Sequence, residues 1–297
     1  MAALLAYILL CLIWGSTWLC IRIGLADMPP FWFLAFRLVI ALAFLLAVAA
    51  YRKSEFAVIR RHLWLVLVIG LFTHPISYSL VYWGEQYVTS GMAAVLFSCM
   101  PFFVAIFSWW LLPGERITVW GAFGLVLGFS GLAVIYGEQI GIASTNTVLG
   151  MAAISASGLI AAGTTVTIRR WLGTAPAVSL ATMTVAVGAV VMPAFAFAAE
   201  PTALVHFTPQ AVAAALYLGI FGSGVTFVLY YRLLSKLPAL TMSLIAFVTP
   251  VIALILAAYF DKEAHTARSL LGTVMVLAGV LLAALRVRKG ARDVRNR

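Results

Sequence analysis

The sequence predicts an all-α polytopic membrane protein with ten transmembrane helices, arranged as two inverted five-helix repeats around a central cavity. Three observations lead to this prediction. The chain is strongly apolar, its second half repeats the order of residues in its first half, and its lysines and arginines are distributed unevenly between the apolar stretches.

The composition identifies the solvent of this chain. Of its 297 residues, 64% are hydrophobic and 9% are charged, and the mean hydropathy is +1.10. A soluble domain has about 25% charged residues, so the polar residues here could not cover a soluble surface. We therefore expect the chain to fold in a lipid bilayer.

Ten apolar stretches follow one another, each close to the roughly 20 residues that a helix needs to cross the hydrocarbon core. Their approximate ranges are 3–25, 31–50, 63–83, 88–111, 118–136, 148–170, 178–199, 210–232, 238–260 and 268–286. The first stretch has no basic residue before it and no obvious cleavage site, so we interpret it as a membrane helix and not as a signal peptide.

The two halves of the chain correspond residue by residue. At an offset of 148 to 149 residues, the identical pairs are Pro101 and Pro250, Glu115 and Glu263, Gly124 and Gly272, and Gly131 and Gly279. Each half has an odd number of spans, so the second half enters the membrane from the opposite side and the repeats are inverted. We place the first repeat at 1–137, a linker at 138–147, the second repeat at 148–287 and a basic cytoplasmic tail at 288–297.

The 19 lysines and arginines indicate the orientation. With a cytoplasmic N-terminus, most of them lie in cytoplasmic loops and in the tail, whereas only Lys262 and Arg268 fall outside. This bias predicts that both termini face the cytoplasm. We expect the protein to lie in the inner (plasma) membrane. The net charge of +10 fits contact with anionic lipids, and no soluble basic surface carries interleaved aromatic residues, so we expect no nucleic-acid partner.

Short motifs add a resemblance to a known family. They are Trp14-Gly15-Ser16-Thr17, Pro29-Pro30 leading into Phe36-Arg37, and Pro101 followed by Leu112-Pro113-Gly114-Glu115-Arg116. In this order they resemble the EamA-type branch of the drug/metabolite transporter superfamily, in particular its bacterial amino-acid and metabolite exporters. The resemblance implies a basket of helices around a central substrate cavity, with helices 5 and 10 at the periphery. It also implies export of small metabolites, with aromatic or other hydrophobic amino acids as a plausible class.

Aromatic residues near the middle of the spans are candidates for the cavity wall. Trp14 lies near the centre of the first span, away from the interfacial belt where tryptophan usually resides. With Tyr78, Tyr82, Phe227 and Tyr230 it would form a wall suited to an aromatic or aliphatic side chain. Simple packing of an aromatic helix face is the alternative explanation.

His74 is the ionisable midplane candidate. A spacing of four places His74, Tyr78 and Tyr82 on one helical face, with Ser77 nearby, and imidazole titrates near neutral pH. The side chain would be a proton site or a substrate contact. Alternatively, it is a neutral histidine bonded to a carbonyl that Pro75 leaves free.

Small and hydroxyl-bearing residues complete the predicted substrate site: Ser16, Thr17, Gly163, Thr164, Ser223 and Ser243. They would present hydroxyls and carbonyls to a substrate or allow close helix packing. Pro101 and Pro250, at equivalent positions, are candidate hinges, with static curvature as the alternative. For Arg37 we favour a structural role, such as pairing with Asp27, over attraction of a substrate carboxylate.

The positions of the acidic residues bear on energy coupling. All nine acids lie at or beyond the ends of the predicted spans, although Glu85 would enter the membrane if its helix were shifted by one turn. A buried carboxylate is the usual proton or sodium carrier. Its absence from the midplane favours an uncoupled carrier or an exchanger over a carboxylate-based proton antiporter.

Other functional classes lack their sequence signals. There is no nucleotide-binding motif of the P-loop type, the three cysteines lack metal-ligand spacing, and the midplane lacks the paired groups of an enzyme site. We expect no cofactor, no metal and no catalysis, and we expect a monomer that binds a small-molecule substrate. The alternatives are a proton-coupled multidrug or other metabolite exporter and a membrane scaffold.

Overall fold

A computed structural model describes residues 2–112, 119–139, 144–243, 245–260 and 266–285. The described chain forms long helices, labelled α1 to α10 in chain order. They are α1 Ala2–Leu25, α2 Pro30–Tyr51, α3 Leu63–Gly84, α4 Ser90–Phe97 continued by Met100–Leu111, α5 Val119–Gln139, α6 Thr145–Trp171, α7 Ala177–Ala199, α8 Pro209–Leu234, α9 Ala239–Ser243 continued by Ile245–Phe260, and α10 Ala267–Leu285. Two short helices are Ala57–Arg60 and Thr202–Leu204.

The predicted all-helical membrane fold is confirmed. Within the described residues there is no strand, and eight helices are long and apolar enough to cross a membrane. The other two, α5 and α10, contain shorter apolar stretches, Val119–Ile135 and Leu270–Gly279. The figure of ten spans stays a prediction. The predicted tail, residues 140–143 of the predicted linker, Arg116 and Lys262 lie outside the described residues.

Two of the helices contain a π-helical segment. In α3 it covers Phe72–Tyr78 and in α8 it covers Ile220–Val225. Phe72 corresponds to Phe221 at the repeat offset, so the two segments occupy matching positions in the two halves. Such segments are rare and frequently lie at functional sites.

The contacts between helices occur in matching sets. Three contacts recur when each helix is replaced by its equivalent in the other half. Helix α1 contacts α9 as α6 contacts α4, α3 contacts α6 as α8 contacts α1, and α3 contacts α7 as α8 contacts α2. Two further contacts, α2 with α7 and α5 with α10, join equivalent helices. Exchanging the two halves therefore reproduces these contacts.

Glycines bring α5 and α10 into backbone contact. A methyl group added to Gly131 would lie 2.6 Å from the carbonyl oxygen of Gly272, and one added to Gly279 would lie 2.5 Å from that of Gly124. Because the contacts pair residues in opposite order, the two helices run antiparallel. Close approach of this kind stabilises membrane helix pairs through van der Waals contact.

Contacts between the two halves join one end of the bundle, and we call this set of contacts the clasp. It joins the α1–α2 connection to residues 200–208. The Glu200 carboxylate accepts hydrogen bonds from the N–H groups of Phe31 (3.0 Å) and Trp32 (3.0 Å), and the Thr208 hydroxyl donates to Asp27 (2.6 Å). Partial burial raises the pKa of Glu200, while the two N–H bonds oppose that rise.

Replacing Glu200 by alanine is expected to destabilise the protein by about 1–2 kcal/mol, because α2 begins at Pro30 without a side-chain cap of its own and Glu200 serves as that cap. Thermal unfolding in detergent measures the change. Glu55→Ala is the control, since its side chain is exposed and the bond that it accepts from Ser179 in the described chain goes to its backbone carbonyl. Equal stability of the two variants would refute the capping role.

Candidate functional site

A cavity lies between the two halves, near the middle of the long helices. Its volume is about 130 Å³, close to that of a cavity that holds one benzene molecule. The described residues that line it come from α1, α2, α3 and α4 of the first half and from α6, α8 and α9 of the second. In the described chain no lining residue comes from α5 or α10, so these seven helices form the cavity between the halves.

Aromatic rings form one wall of this cavity. The Trp14 ring lies 5.2 Å from that of Tyr230 and 6.2 Å from that of Phe227, and Tyr78 lies 6.3 Å from Phe227. Rings at these separations attract one another and present an apolar surface. The wall joins helices of both halves, and it suits a ring or a branched apolar group.

Arg37 is the charged side chain among the described residues that line the cavity. Only 3% of its surface is exposed. It donates from Nε to Ser223 Oγ (2.8 Å), from Nη1 to the Tyr82 hydroxyl (3.1 Å) and from Nη2 to the Gly222 carbonyl (3.0 Å). Its guanidinium carbon also lies 4.6 Å from the centre of the Tyr78 ring. These contacts fix the guanidinium plane.

The π-helical segment of α8 supplies the acceptors that position these groups. Gly222 and Ser223 both lie within it, and the Gly222 carbonyl also accepts a weaker bond from Trp14 Nε1 (3.4 Å). The irregular backbone therefore holds both the arginine and the tryptophan of the cavity. Asp27, the partner expected for Arg37, instead accepts from Thr208.

Hydroxyl groups supply most of the remaining polarity. Thr17 donates to the Trp14 carbonyl (2.7 Å) and Ser243 to the Leu240 carbonyl (2.8 Å). Ser77 shares a bond with Ser157 (2.8 Å). A hydroxyl whose hydrogen is committed to a backbone carbonyl keeps its lone pairs, so Thr17 and Ser243 can still act as hydrogen-bond acceptors.

The structure brings most of the predicted substrate-site residues to the cavity lining. Those that line it are Trp14, Thr17, Ser77, Tyr78, Tyr82, Thr164, Phe227, Tyr230 and Ser243. Four others lie behind the lining. Ser16 shares a bond with Tyr217 (2.7 Å), Gly163 faces Phe107, Ser223 holds Arg37, and His74 is packed among neighbouring helices. Their roles in binding substrate stay predictions.

His74 is fully buried and does not line the cavity. Its ring lies 5.6 Å from that of Tyr78 and 4.8 Å from that of Phe227, and its Cβ faces Gly188 of α7. Within the described chain neither ring nitrogen has a hydrogen-bond partner. The bond to a carbonyl freed by Pro75, the alternative interpretation of His74, is therefore not formed within the described chain.

The two candidate hinge prolines occupy different settings. Pro101 lies in the first turn of the second part of α4, after a break at Ser98 and Cys99, where a missing N–H costs no helical bond. The expected kink within a continuous helix is thus a helix end. Pro250 lies inside the second part of α9. Hinge motion at either proline stays a prediction.

One acid differs from the predicted pattern. Glu85 follows the last residue of α3, as the predicted span 63–83 implies, but none of its surface is exposed. Its backbone carbonyl accepts a hydrogen bond from Arg22 (3.1 Å). A position at a helix end therefore does not place this carboxyl group in water.

Several cavity residues were missed by sequence reasoning. The lining also contains Thr165 and Tyr231, together with Trp18, Ile21, Thr73, Val81, Phe97, Met100, Ala161, Ile168, Met242, Ile245, Ala246 and Thr249. Helical spacing was a usable signal for some of them, since residues three or four apart share a face. From the predicted residue Trp14 this spacing leads to Trp18, from Ser243 it leads to Ala246, and from Thr164 it leads to Ala161 and Ile168.

A helical membrane bundle with a cavity between its two halves is the architecture of a membrane transporter. The chain belongs to the EamA-like transporter family, whose family model matches residues 1–137 and 148–285. This confirms the family expected from the motifs.

Individual relatives agree with this assignment. The uncharacterized transporter YoaV of Bacillus subtilis is 26% identical over 279 residues, covering 94% of this chain and 95% of that protein. Protein PagO of Salmonella typhimurium is 28% identical over 276 residues, covering 93% and 90%. One solved structure has a TM-score of 0.76 at 20% identity and covers 97% of this chain and 99% of its own. That likeness shows the fold.

Proposed function

We propose that this protein is a secondary transporter that exports small metabolites, with aromatic or other hydrophobic amino acids as its substrates. It works by alternating access as an uncoupled carrier or an exchanger, in the inner membrane with both termini in the cytoplasm. The aromatic wall that both halves contribute to one small cavity carries this proposal. Its volume of about 130 Å³ suits the ring of an aromatic side chain and is too small, in this conformation, for a nucleotide sugar.

The packing supports an inverted-repeat mechanism. Helices α5 and α10 are equivalent in the two halves and run antiparallel, and the contacts of α1 with α9, of α3 with α6 and of α3 with α7 recur when the halves are exchanged. A pseudo-two-fold axis in the membrane plane would produce this pattern. One conformation with the roles of the halves exchanged then gives the state that opens to the other side.

The charge distribution supports the proposed orientation. Arg169, at the end of α6, donates to the carbonyls of Leu234 and Ser235 at the end of α8, and Ser179 of α7 bonds to Glu55. These contacts gather basic residues at the end of the bundle opposite the clasp: Arg52, Lys53, Arg60, Arg61, Arg169, Arg170, Arg232 and Lys236. Such an end is expected at the cytoplasm.

The lining supports an uncoupled carrier or exchanger. Among its described residues there is no carboxylate to carry a proton or sodium ion through the cavity. Counterflow by purified protein in liposomes tests the proposal, with radiolabelled tryptophan, phenylalanine, methionine and threonine. We expect exchange without a pH gradient, whereas accumulation driven by the gradient would favour the proton-coupled alternative. No exchange of any amino acid or related metabolite would favour the scaffold.

Replacing Phe227 by leucine is expected to lower the apparent affinity for phenylalanine and tryptophan about two- to tenfold, and that for methionine less. Leucine keeps an apolar side chain but removes ring contacts worth about 0.5–1.5 kcal/mol. Counterflow competition measures the change. Phe221→Leu is the matched control, because Phe221 lies on the same helix with 45% of its surface exposed. Equal effects of both substitutions would contradict the aromatic-wall assignment.

A further inference from the structure

We propose that Arg37 binds the carboxylate of the substrate, so that the cavity selects small molecules with a free carboxylate next to an apolar group. This inference rests on the proposed transport function and names the chemistry that the same cavity recognises. It differs from the structural role that the sequence favours for Arg37. Burial, donor count and position each support it.

The first argument is the buried charge, whose hydrogen-bond partners are all neutral. Arg37 is buried at 3% exposure inside an apolar bundle, where a charge without a partner is costly. Its hydrogen-bond partners within the described chain are a serine hydroxyl, a tyrosine hydroxyl and a backbone carbonyl, all uncharged. They satisfy donors but leave the positive charge in place. An anionic ligand would neutralise it.

The second argument is the number of donors. A guanidinium has five N–H groups, and these contacts use one on each of its three nitrogens. One N–H on each terminal nitrogen has no acceptor in the described chain. A pair of N–H groups on the two terminal nitrogens can form the fork that a carboxylate accepts in bidentate fashion.

The third argument is position. The Gly222 carbonyl that accepts from Arg37 also accepts from Trp14 Nε1, so the cation lies next to the aromatic wall. A carboxylate at Arg37 leaves the rest of the molecule in contact with Trp14, Phe227 and Tyr230. Stacking on Tyr78 and the bonds to α8 hold the fork in place before ligand arrives, which reduces the ordering cost of binding.

Pairs of ligands that differ only at the carboxylate test this on the wild-type protein. The pairs are phenylalanine with phenylalaninamide, 3-phenylpropionate with its amide, and benzoate with benzamide. Thermal stabilisation of purified protein is measured for each pair, and competition against phenylalanine counterflow is measured in liposomes. We expect each carboxylate to bind at least about tenfold more tightly than its amide, because the amide leaves the buried charge unpaired.

The two proposals fail in different ways. If no amino acid exchanges in liposomes but the carboxylates stabilise the protein selectively, the transport proposal is wrong and the Arg37 assignment stands. If phenylalanine exchanges but each amide binds as well as its carboxylate, the Arg37 assignment is wrong. Absence of stabilisation by every carboxylate also overturns it.

Substitutions of Arg37 test whether this residue causes the preference for a carboxylate over its amide. Arg37→Gln should bring the affinities for carboxylate and amide to within about threefold of each other, and Arg37→Lys should restore part of the preference, because lysine keeps the charge and loses the fork. Arg22→Gln is the matched control, since Arg22 is exposed, bonds to the Glu85 carbonyl and does not line the cavity. A purely structural role for Arg37 would lower stability without changing the ratio of the two affinities.

Discussion

Replacing Gly131 by alanine is expected to destabilise the protein by about 1–3 kcal/mol, the usual cost of overpacking a dense interior. The added methyl group would meet the Gly272 carbonyl oxygen at 2.6 Å and the Val276 backbone nitrogen at 2.8 Å. Neither atom can rotate away as a flexible side chain would. The helices α5 and α10 must separate to make room.

The same helix offers the control. Gly137 lies six residues further along α5, and a methyl group added there meets nothing within 4 Å. Gly137→Ala should be neutral or slightly stabilising, because alanine is the better helix former. The unfolding temperature and the monodisperse yield in detergent measure both variants. Equal behaviour of Gly131→Ala and Gly137→Ala would show that α5 and α10 do not pack through their backbones.

Joining positions 27 and 208 is expected to abolish transport reversibly. The Asp27 carboxylate and the Thr208 hydroxyl are in contact at 2.6 Å, so the pair Asp27→Cys and Thr208→Cys is within reach of a disulfide or a short bis-thiol reagent. The clasp joins the two halves, and the alternating access proposed above requires this end to open. Exchange should stop on oxidation and return on reduction.

This experiment needs a background in which Cys11, Cys20 and Cys99 are replaced. The control pair is Ser144→Cys with Thr147→Cys, whose hydroxyls lie 3.0 Å apart at the start of a single helix. Bridging that pair constrains one helix end and should leave exchange intact. Continued exchange by a fully cross-linked clasp would mean that the two halves do not separate there.

Hydrophobic runs predicted the helices well because the bilayer sets their length. The predicted spans 31–50 and 210–232 correspond to Pro30–Tyr51 and Pro209–Leu234. The π-helical segments were not predictable in this way, since a π turn and an α turn have the same hydropathy. The break in α4 was predictable only in part. Pro101 indicated a kink, but whether the helix bends or ends at a proline depends on the neighbouring turns.

The site shows the same limit. A spacing of four placed His74 and Tyr78 on one face, yet both lie in the π-helical segment of α3, where the wider turn changes which residues align. His74 is therefore turned behind the lining that Tyr78 joins. Arg37 was visible as an intramembrane cation, but its partners lie on α3 and α8, and only the packed helices show that they are uncharged.

The π-helical segments have a consequence for the history of the chain. A π turn holds one residue more than an α turn, and both halves carry it at matching positions, so the simplest history is one insertion that predates the duplication. Loss of that residue from α8 alone would rotate every later side chain on the helix by about 100°. Phe227 and Tyr230 would then leave the cavity, so a single-codon deletion would remove much of the aromatic wall.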